Sequence, residues 1–414
     1  MSRLSKAIKK YGLLLCIVKV FRKIFFKFYS KFNNLENRMS AKRNKQYDEL
    51  EKFIKKSNYK KIFIFYPYTE WDIPVFQRPQ QIALSLTKNK DILYLFCTKN
   101  VSNDHIDGLY KHVKDNLLIV TDFDFLFNLK VKNKVIHLYS TDIISKYDLV
   151  EKSQKKGYQV LYEYIDEIHE SISGSIPDHF YYKHEHIMKN EDVYVIGTAD
   201  KLIKDIQKYR TKNYALSTNG VTLEDFVLKE KEVPETVEKI TKEYKKVICY
   251  YGSLASWFDY ELLKKCAKKY PNYAFVLIGF EYDDSYQKSG VSKYKNIIYL
   301  GKIDYKKLIN YTSKFDLLVI PFLINEVTES TSPVKLFEYM AAGLPTVCTR
   351  DLRECNGYDY VYMAKDDREF DVDLIRALEA YKKEECRERL LEQAEQNTWS
   401  KRAEDITKAL KIQK

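Results

Sequence analysis

In the stretch "NEVTESTSPVKLFEYMAAGLPTV" (residues 325–347), Lys335 falls in the first turn of a short helix, where a cation is badly placed. Ser332 reads as the N-cap, Pro333 as the first helical position, Gly343 as the terminator and Pro345 as a bar to continuation. The positive end of the macrodipole disfavours a lysine there by roughly 0.3–1 kcal/mol. A glutamate at the same place would instead complete a capping box. An anion removes the conflict. The amides of Val334 and Lys335, the hydroxyls of Thr331 and Ser332 and the Lys335 ammonium would converge on one phosphate group. One turn on, Glu338 lies on a neighbouring face, within reach of a hydroxyl-bearing part of the same ligand. A diphosphate followed by a ribose has that order. The competing explanation is a solvated lysine paired with Glu338 at i,i+3, worth only ~0.2–0.5 kcal/mol.

Such a site needs a strand behind it and a helix after it, and the chain supplies both repeatedly. From Lys60, short apolar runs alternate with helical segments: "KKIFIFYPY", then "QRPQQIALSLTKN", then "DILYLFC", "NLLIV", "KVIHLYS", "YQVLYEYID" and "DVYVIGTAD". A turn signal at Asn219–Gly220 and the charged segment "KEKEVPETVEKITKEYKK" mark a boundary. A second series follows, with strands "KVICYYGS", "YAFVLIGF", "NIIYLGKI", "DLLVIPF" and "PTVCT" separated by helices. Alternation of this kind predicts two Rossmann-like, doubly wound parallel sheets, with ligands at the carboxyl ends of the strands. Lys335 opens the helix after "DLLVIPF", at that edge. Gly252 and Ser253 end the first strand of the second series and allow close backbone approach to phosphate; Gly279 ends the next strand and joins them in the donor site. In the first series, Trp71, Asp72, Gln77 and Arg78 follow the first strand and are expected to face the cleft, with Arg78 either binding phosphate or an acidic acceptor or forming an ion pair.

Composition narrows the function classes. The 414 residues suffice for two domains, and 45% hydrophobic with 31% charged residues fits a globular protein. Seven scattered cysteines without a CxxC pair argue for a reducing compartment and against a disulfide framework or zinc site. The sequence has no Walker A motif, GxGxxG, HExxH or GxSxG. The net charge of +12 is uneven: residues 1–61 carry +14 and the remaining 353 carry −2. A near-neutral body is not expected to bind nucleic acid.

The leader explains the excess. Residues 1–32 hold nine Lys/Arg and no acid, with apolar residues from Leu4 through Phe32 in alternating steps of three and four. This reads as a basic amphipathic helix lying in an anionic membrane surface, its uncharged run far short of the ~20 residues that span a bilayer. Alternatively its aromatic face packs on the body or in a homodimer. The expected location is cytoplasmic, peripheral on the inner face of the cell membrane.

The run "SPVKLFEYMAAGLPTV" resembles the donor-binding segment of bacterial nucleotide-sugar glycosyltransferases of the GT-B fold, in the large retaining group numbered family four. "YYGSLASWFDYELL", "WDIPVFQRPQQIA", "YEYIDE", "STNGVTLEDF" and "NTWSKRA" resemble, in order, further markers of a subgroup that builds cell-surface polysaccharides. The resemblance implies that Glu338 is the second glutamate of an E-x7-E pair and binds the donor ribose. Ser330 stands where the first glutamate belongs, with Glu329 and Glu326 nearby. It further implies that Asp166 and Glu167 touch the transferred sugar or acceptor, and that residues 299–302, Tyr299 among them, approach the base. The usual Arg and Lys of the second domain's first loop are missing from "GSLASWFDY", which leaves Lys335 more of the diphosphate charge.

The implied function is retaining transfer of a sugar from a nucleotide diphosphate sugar, UDP favoured, to a lipid-linked or cell-surface glycan. Neither a metal nor a further cofactor is expected, and Glu338, Lys335, Asp166 and Glu167 are the catalytic candidates. The expected organisation is a membrane-association segment at 1–45, an acceptor domain at 46–222, a donor domain at 223–398 and a terminal helix at 399–414 crossing back toward the first domain. A sugar-nucleotide epimerase and a non-catalytic partner subunit are the rival readings. Acceptor dependence separates the first from a transferase, and donor hydrolysis separates the second from an enzyme.

Overall fold

The computed structural model describes residues 41–56, 58–73, 76–140, 149–168, 170, 176–226, 233–323, 332–349 and 352–411. The leader at 1–32 lies outside them. Strands β1 (Lys61–Phe65), β2 (Ile92–Cys97), β3 (Tyr110–Lys114), β4 (Leu117–Val120), β5 (Lys134–Tyr139), β6 (Gln159–Tyr164), β7 (Val193–Gly197) and β8 (Tyr214–Leu216) belong to a sheet of order β3-β4-β2-β1-β5-β6-β7-β8. Strands β9 (Lys246–Tyr251), β10 (Tyr273–Ile278), β11 (Ile297–Tyr299), β12 (Leu317–Ile320), β13 (Thr346–Thr349) and β14 (Val361–Ala364) form a second sheet, β11-β10-β9-β12-β13-β14. The second sheet is parallel throughout. In the first, β3 runs antiparallel to β4, a departure from the all-parallel reading. Contacts divide the chain into two compact units: residues up to Phe76 with Asn89–His137, and Gln77–Lys88 with Leu138 onward.

The central strands are continuous apolar runs because both faces are covered. In β2 and β5 every residue is buried, and β9, β10, β12 and β13 are buried over nearly their whole length. Edge strands differ: β3 is "YKHVK" with an exposed centre, and β14 is mostly half-buried. The polar stretch after residue 40 forms a helix, Ala41–Lys56, that buries Leu50 and Ile54 in the first unit.

Buried cations add hydrogen bonds to the carbonyls at two helix ends. Arg210 donates to the carbonyls of Ile187, Met188 and Asn190, at 2.7–2.8 Å, at the end of the Asp178–Lys189 helix. It also donates to Val193 at 2.6 Å and Asn213 at 3.2 Å. Ile187 O and Asn190 O also accept the amides of Asn190 and Val193, at 3.2 and 3.0 Å, so the guanidinium adds to bonds the backbone already makes there. In the first unit Lys134 donates to the carbonyls of Leu126, Phe127 and Leu129.

Candidate functional site

Three strands of the second sheet end in glycines whose backbones lock together. Gly252 N donates to Ile278 O and Gly279 N to Gly301 O, both at 2.9 Å. Gly279 has φ +150°, and a Cβ built on it would lie 1.8 Å from Gly252 O. No side chain fits there. A Cβ on Gly252 (φ +149°) would lie 2.8 Å from Lys335 Cε and 2.9 Å from the Tyr250 hydroxyl. The tail of Lys335 therefore lies along the Gly252 backbone. Its ammonium sits 4.9 Å from the Phe322 ring centroid and 5.5 Å from that of Tyr250, a cation held by two aromatic faces. Burial brings the Lys335 ammonium down to about 8, with Glu338 pulling the other way.

Glu338 is buried on the same helix. Burial raises its carboxyl to about 7, opposed by the Tyr305 hydroxyl, the Lys335 ammonium and the Tyr251 hydroxyl. Both groups thus change charge near neutrality, because each is desolvated. Ser253 accepts the Tyr250 hydroxyl on its carbonyl at 2.9 Å. The Tyr299 hydroxyl donates to Gly279 O at 2.9 Å, and its ring lies 4.8 Å from that of Tyr286. Gly252, Ser253, Gly279, Tyr299, Lys335 and Glu338 are thereby linked along one edge of one sheet.

The helix begins one residue later than the sequence pattern predicts. It spans Val334–Ala341, and Pro333 (φ −72°, ψ 113°) is the N-cap. The proline ring fixes φ at a helix-compatible value, but the extended ψ keeps this residue outside the helix. Ser332 is accordingly no cap. Its carbonyl accepts Asn219 Nδ2 at 2.7 Å and its hydroxyl accepts the Asn219 amide at 3.4 Å. Thr331, Ser330, Glu329 and Glu326 lie outside the described residues.

The other predicted residues have different surroundings. Arg78 opens the Arg78–Leu86 helix, with Gln77 before it as the N-cap and Gln80 Oε1 accepting the Gln77 amide at 3.3 Å. The Arg78 guanidinium is not open to a ligand. It is buried, paired through Nε to Glu163 at 2.5 Å and bonded to Thr218 O at 2.9 Å and Asn219 Oδ1 at 3.4 Å. In the first unit Trp71 is also buried, with its ring 5.1 Å from Phe96 and its amide held by Asp104 at 3.0 Å. Asp72 faces Lys111 at 3.6 Å. Asp166 and Glu167 fall just beyond β6; burial raises the Asp166 carboxyl to about 6, and Glu167 pairs with Lys201 at 2.7 Å.

Four residues that sequence reasoning did not single out complete this edge: Tyr250, Tyr251, Tyr305 and Phe322. Tyr250, Tyr251 and Phe322 lie in apolar strand-end runs and Tyr305 opens a short charged turn, and neither setting gives a chemical signal in the sequence. Glu163 was concealed inside "YEYIDE", and Asn219 gave only a turn signal.

Residues 245–380 match the family described as Glycosyl transferases group 1. A Bacillus subtilis (strain 168) protein, provisionally named teichuronic acid biosynthesis glycosyltransferase TuaH, is 28% identical over 106 residues. That match covers 25% of this chain and 26% of the relative, about a quarter of the relative's length. A glycosyltransferase from Rickettsia africae ESF-5 superposes with a TM-score of 0.63 at 12% identity, over 86% of this chain and all of that one. Anabaena HepE, solved with UDP, gives 0.60 at 12% identity, covering 85% of this chain and 100% of its own. WaaG, a glycosyltransferase of lipopolysaccharide biosynthesis, gives 0.57 at 12% identity with the same coverages. At such identities the structural matches establish the fold. Residues 245–380 are thus similar to the group 1 glycosyltransferases, and the chain has a GT-B fold of two Rossmann-like sheets.

Proposed function

We propose that the protein transfers a sugar from a nucleotide diphosphate sugar, UDP-linked by preference, to a lipid-linked or cell-surface glycan. The observation that carries this is the Lys335 side chain at the opening of a helix, its Cε against the Gly252 backbone and its ammonium over the Tyr250 and Phe322 rings, with buried Glu338 one turn on. First-turn amides and Lys335 would meet the charge that builds on the departing diphosphate, without requiring a metal. Glu338 would bind the ribose hydroxyls, and Tyr299 would border the base. The family group supports transfer with retention, in which the leaving phosphate takes the acceptor proton. Asp166, with its raised carboxyl, and Glu167 remain the proposed contacts to sugar or acceptor.

Titration of UDP, GDP, ADP and dTDP into the purified protein, followed by turnover of the matching sugar nucleotides, tests this reading. Lys335→Ala and Glu338→Ala are each expected to cut donor turnover at least tenfold, since a charge-assisted contact contributes ~1.5–3 kcal/mol. The pH dependence has a defined sign. Lys335 carries its charge below about 8, so diphosphate affinity should fall as pH rises through that value. Bound diphosphate favours the charged form, and binding above that pH should take up a proton. Lys335→Ala should abolish the fall above about 8, leaving only what the ionisation of Glu338 near 7 contributes. Near-normal activity in both variants, or a fall above about 8 that survives Lys335→Ala, overturns the donor site.

Attachment to the inner membrane face is the proposed role of residues 1–32. Among the described residues no helix is long and apolar enough to cross a membrane. Full-length protein is expected to sediment with vesicles containing anionic lipid and to leave them as salt rises, since its cations act over about a Debye length. Protein lacking residues 1–38 should stay in solution with donor turnover intact. Aggregation of the truncated protein, with no vesicle binding by the intact one, would mean that the aromatic face is packed internally.

A further inference from the structure

We infer that Asn219 is a positioning residue for the donor site, setting where the Val334–Ala341 helix begins. The inference rests on the donor reading above. Each of the four polar functions of Asn219 is engaged. Its amide donates to Ser332 Oγ at 3.4 Å, and its carbonyl accepts Arg402 Nε at 3.0 Å. Side-chain Nδ2 donates to Ser332 O at 2.7 Å, and Oδ1 accepts Arg78 Nη1 at 3.4 Å.

The chemistry of the partners explains why an asparagine stands here. A backbone carbonyl only accepts and a guanidinium only donates, so the group between them must donate on one side and accept on the other. The same pairing fixes which way the amide points. Aspartate could serve Arg78 but not Ser332. Glutamine offers the same atoms one methylene too far out. Asn219 is also held in place from behind. Arg78 is anchored on Glu163 at 2.5 Å and on Thr218 O at 2.9 Å, and Arg402 lies on the Trp399–Ala409 helix. Ser332 immediately precedes the N-cap, Pro333, whose ring leaves ψ as its one soft backbone torsion. Fixing the Ser332 carbonyl therefore fixes the peptide that leads into the first-turn amides. Those amides act on a phosphate only if they point at it, and misplacement of about 1 Å can cost 10²-fold.

The effect should be specific to the phosphate held by those amides, whereas a merely structural role would weaken every ligand alike. The test uses full-length protein, whichever of the four nucleoside diphosphates it binds, and the matching monophosphate. Asn219→Ala removes both side-chain bonds. Asn219→Asp keeps the size of the side chain and its acceptor for Arg78, and exchanges the donor to Ser332 for a carboxylate oxygen that repels that carbonyl. Both are expected to raise the diphosphate Kd and the donor KM about tenfold while the monophosphate Kd changes less than threefold and the thermal midpoint stays near wild type. Wild-type affinity in both variants overturns the inference and leaves the donor reading standing. So does equal weakening of both ligands, or failure of both variants to fold, since each marks a purely structural residue. A wild-type protein that binds none of the four diphosphates overturns the donor reading and this inference with it.

Discussion

Replacing either member of the Arg78–Glu163 pair is expected to cost about 3–5 kcal/mol of stability. The pair is among the most deeply buried charges in the second unit: 5% of the Arg78 side chain and none of that of Glu163 is exposed. Arg78→Ala takes the guanidinium away from a fully buried carboxylate, and that charge must then be compensated by protonation, by water or by rearrangement. Glu163→Gln leaves a guanidinium facing only neutral acceptors, Thr218 O, Asn219 Oδ1 and Ser217 Oγ. Each single variant should lower the denaturant midpoint substantially. The double variant Arg78→Met/Glu163→Leu should recover most of the loss, because a buried ion pair is often replaced by packed apolar side chains at little cost. Single variants within about 0.5 kcal/mol of wild type would show that water reaches the pair and screens it. Since Arg78 also orients Asn219, Arg78→Ala should weaken nucleotide binding in whatever protein remains folded.

The same pair shows where sequence reading runs out. Arg78 and Glu163 are 85 residues apart, and Arg78 and Asn219 are 141 apart. Nothing local distinguishes an arginine about to be buried from one left open on a loop, and the loop reading of Arg78 failed for that reason. Trp71 illustrates the same limit, since its burial depends on Phe96 from the next strand. Lys335 was legible because it conflicts with its own helix: a locally unfavourable residue signals a reason that is not local. The strands were legible where both faces are covered and the apolar run is unbroken, as in β2, β5 and β10. They were missed where an edge strand is polar and short. β3 is one case, with two lysines that blunt an open edge; β8, only three residues long, and β14, with a half-buried pattern that fits a loop equally well, are the others. The one-residue error at the helix start has a similar origin, because proline suits both the N1 position and the extended residue before it.

Substitution of Gly279 by alanine is expected to have the largest effect on the site. The new methyl would stand 1.8 Å from Gly252 O, about half a normal contact distance, and the obstacle is backbone rather than the end of a flexible side chain. Relief requires the loops after β9 and β10 to move apart. That breaks the 2.9 Å bonds from Gly252 N to Ile278 O and from Gly279 N to Gly301 O, and it carries the Gly252 backbone away from Lys335. The φ of +150° adds about 1–3 kcal/mol of backbone strain for a residue with a side chain. The sheet interior is untouched, because β9 and β10 remain paired from Lys246–Tyr273 through Tyr251–Ile278. The Gly279→Ala protein should therefore keep a native-like far-UV circular dichroism spectrum and lose nucleoside diphosphate binding by at least a hundredfold. Gly357→Ala is the matched control. Its φ is +87° and a Cβ there meets nothing within 4 Å, so it carries the left-handed strain without the collision. That variant should bind nucleotide like wild type. If Gly279→Ala binds as well as Gly357→Ala, the locked glycine backbones are not part of the donor site, and the ligand must lie elsewhere along the sheet edge.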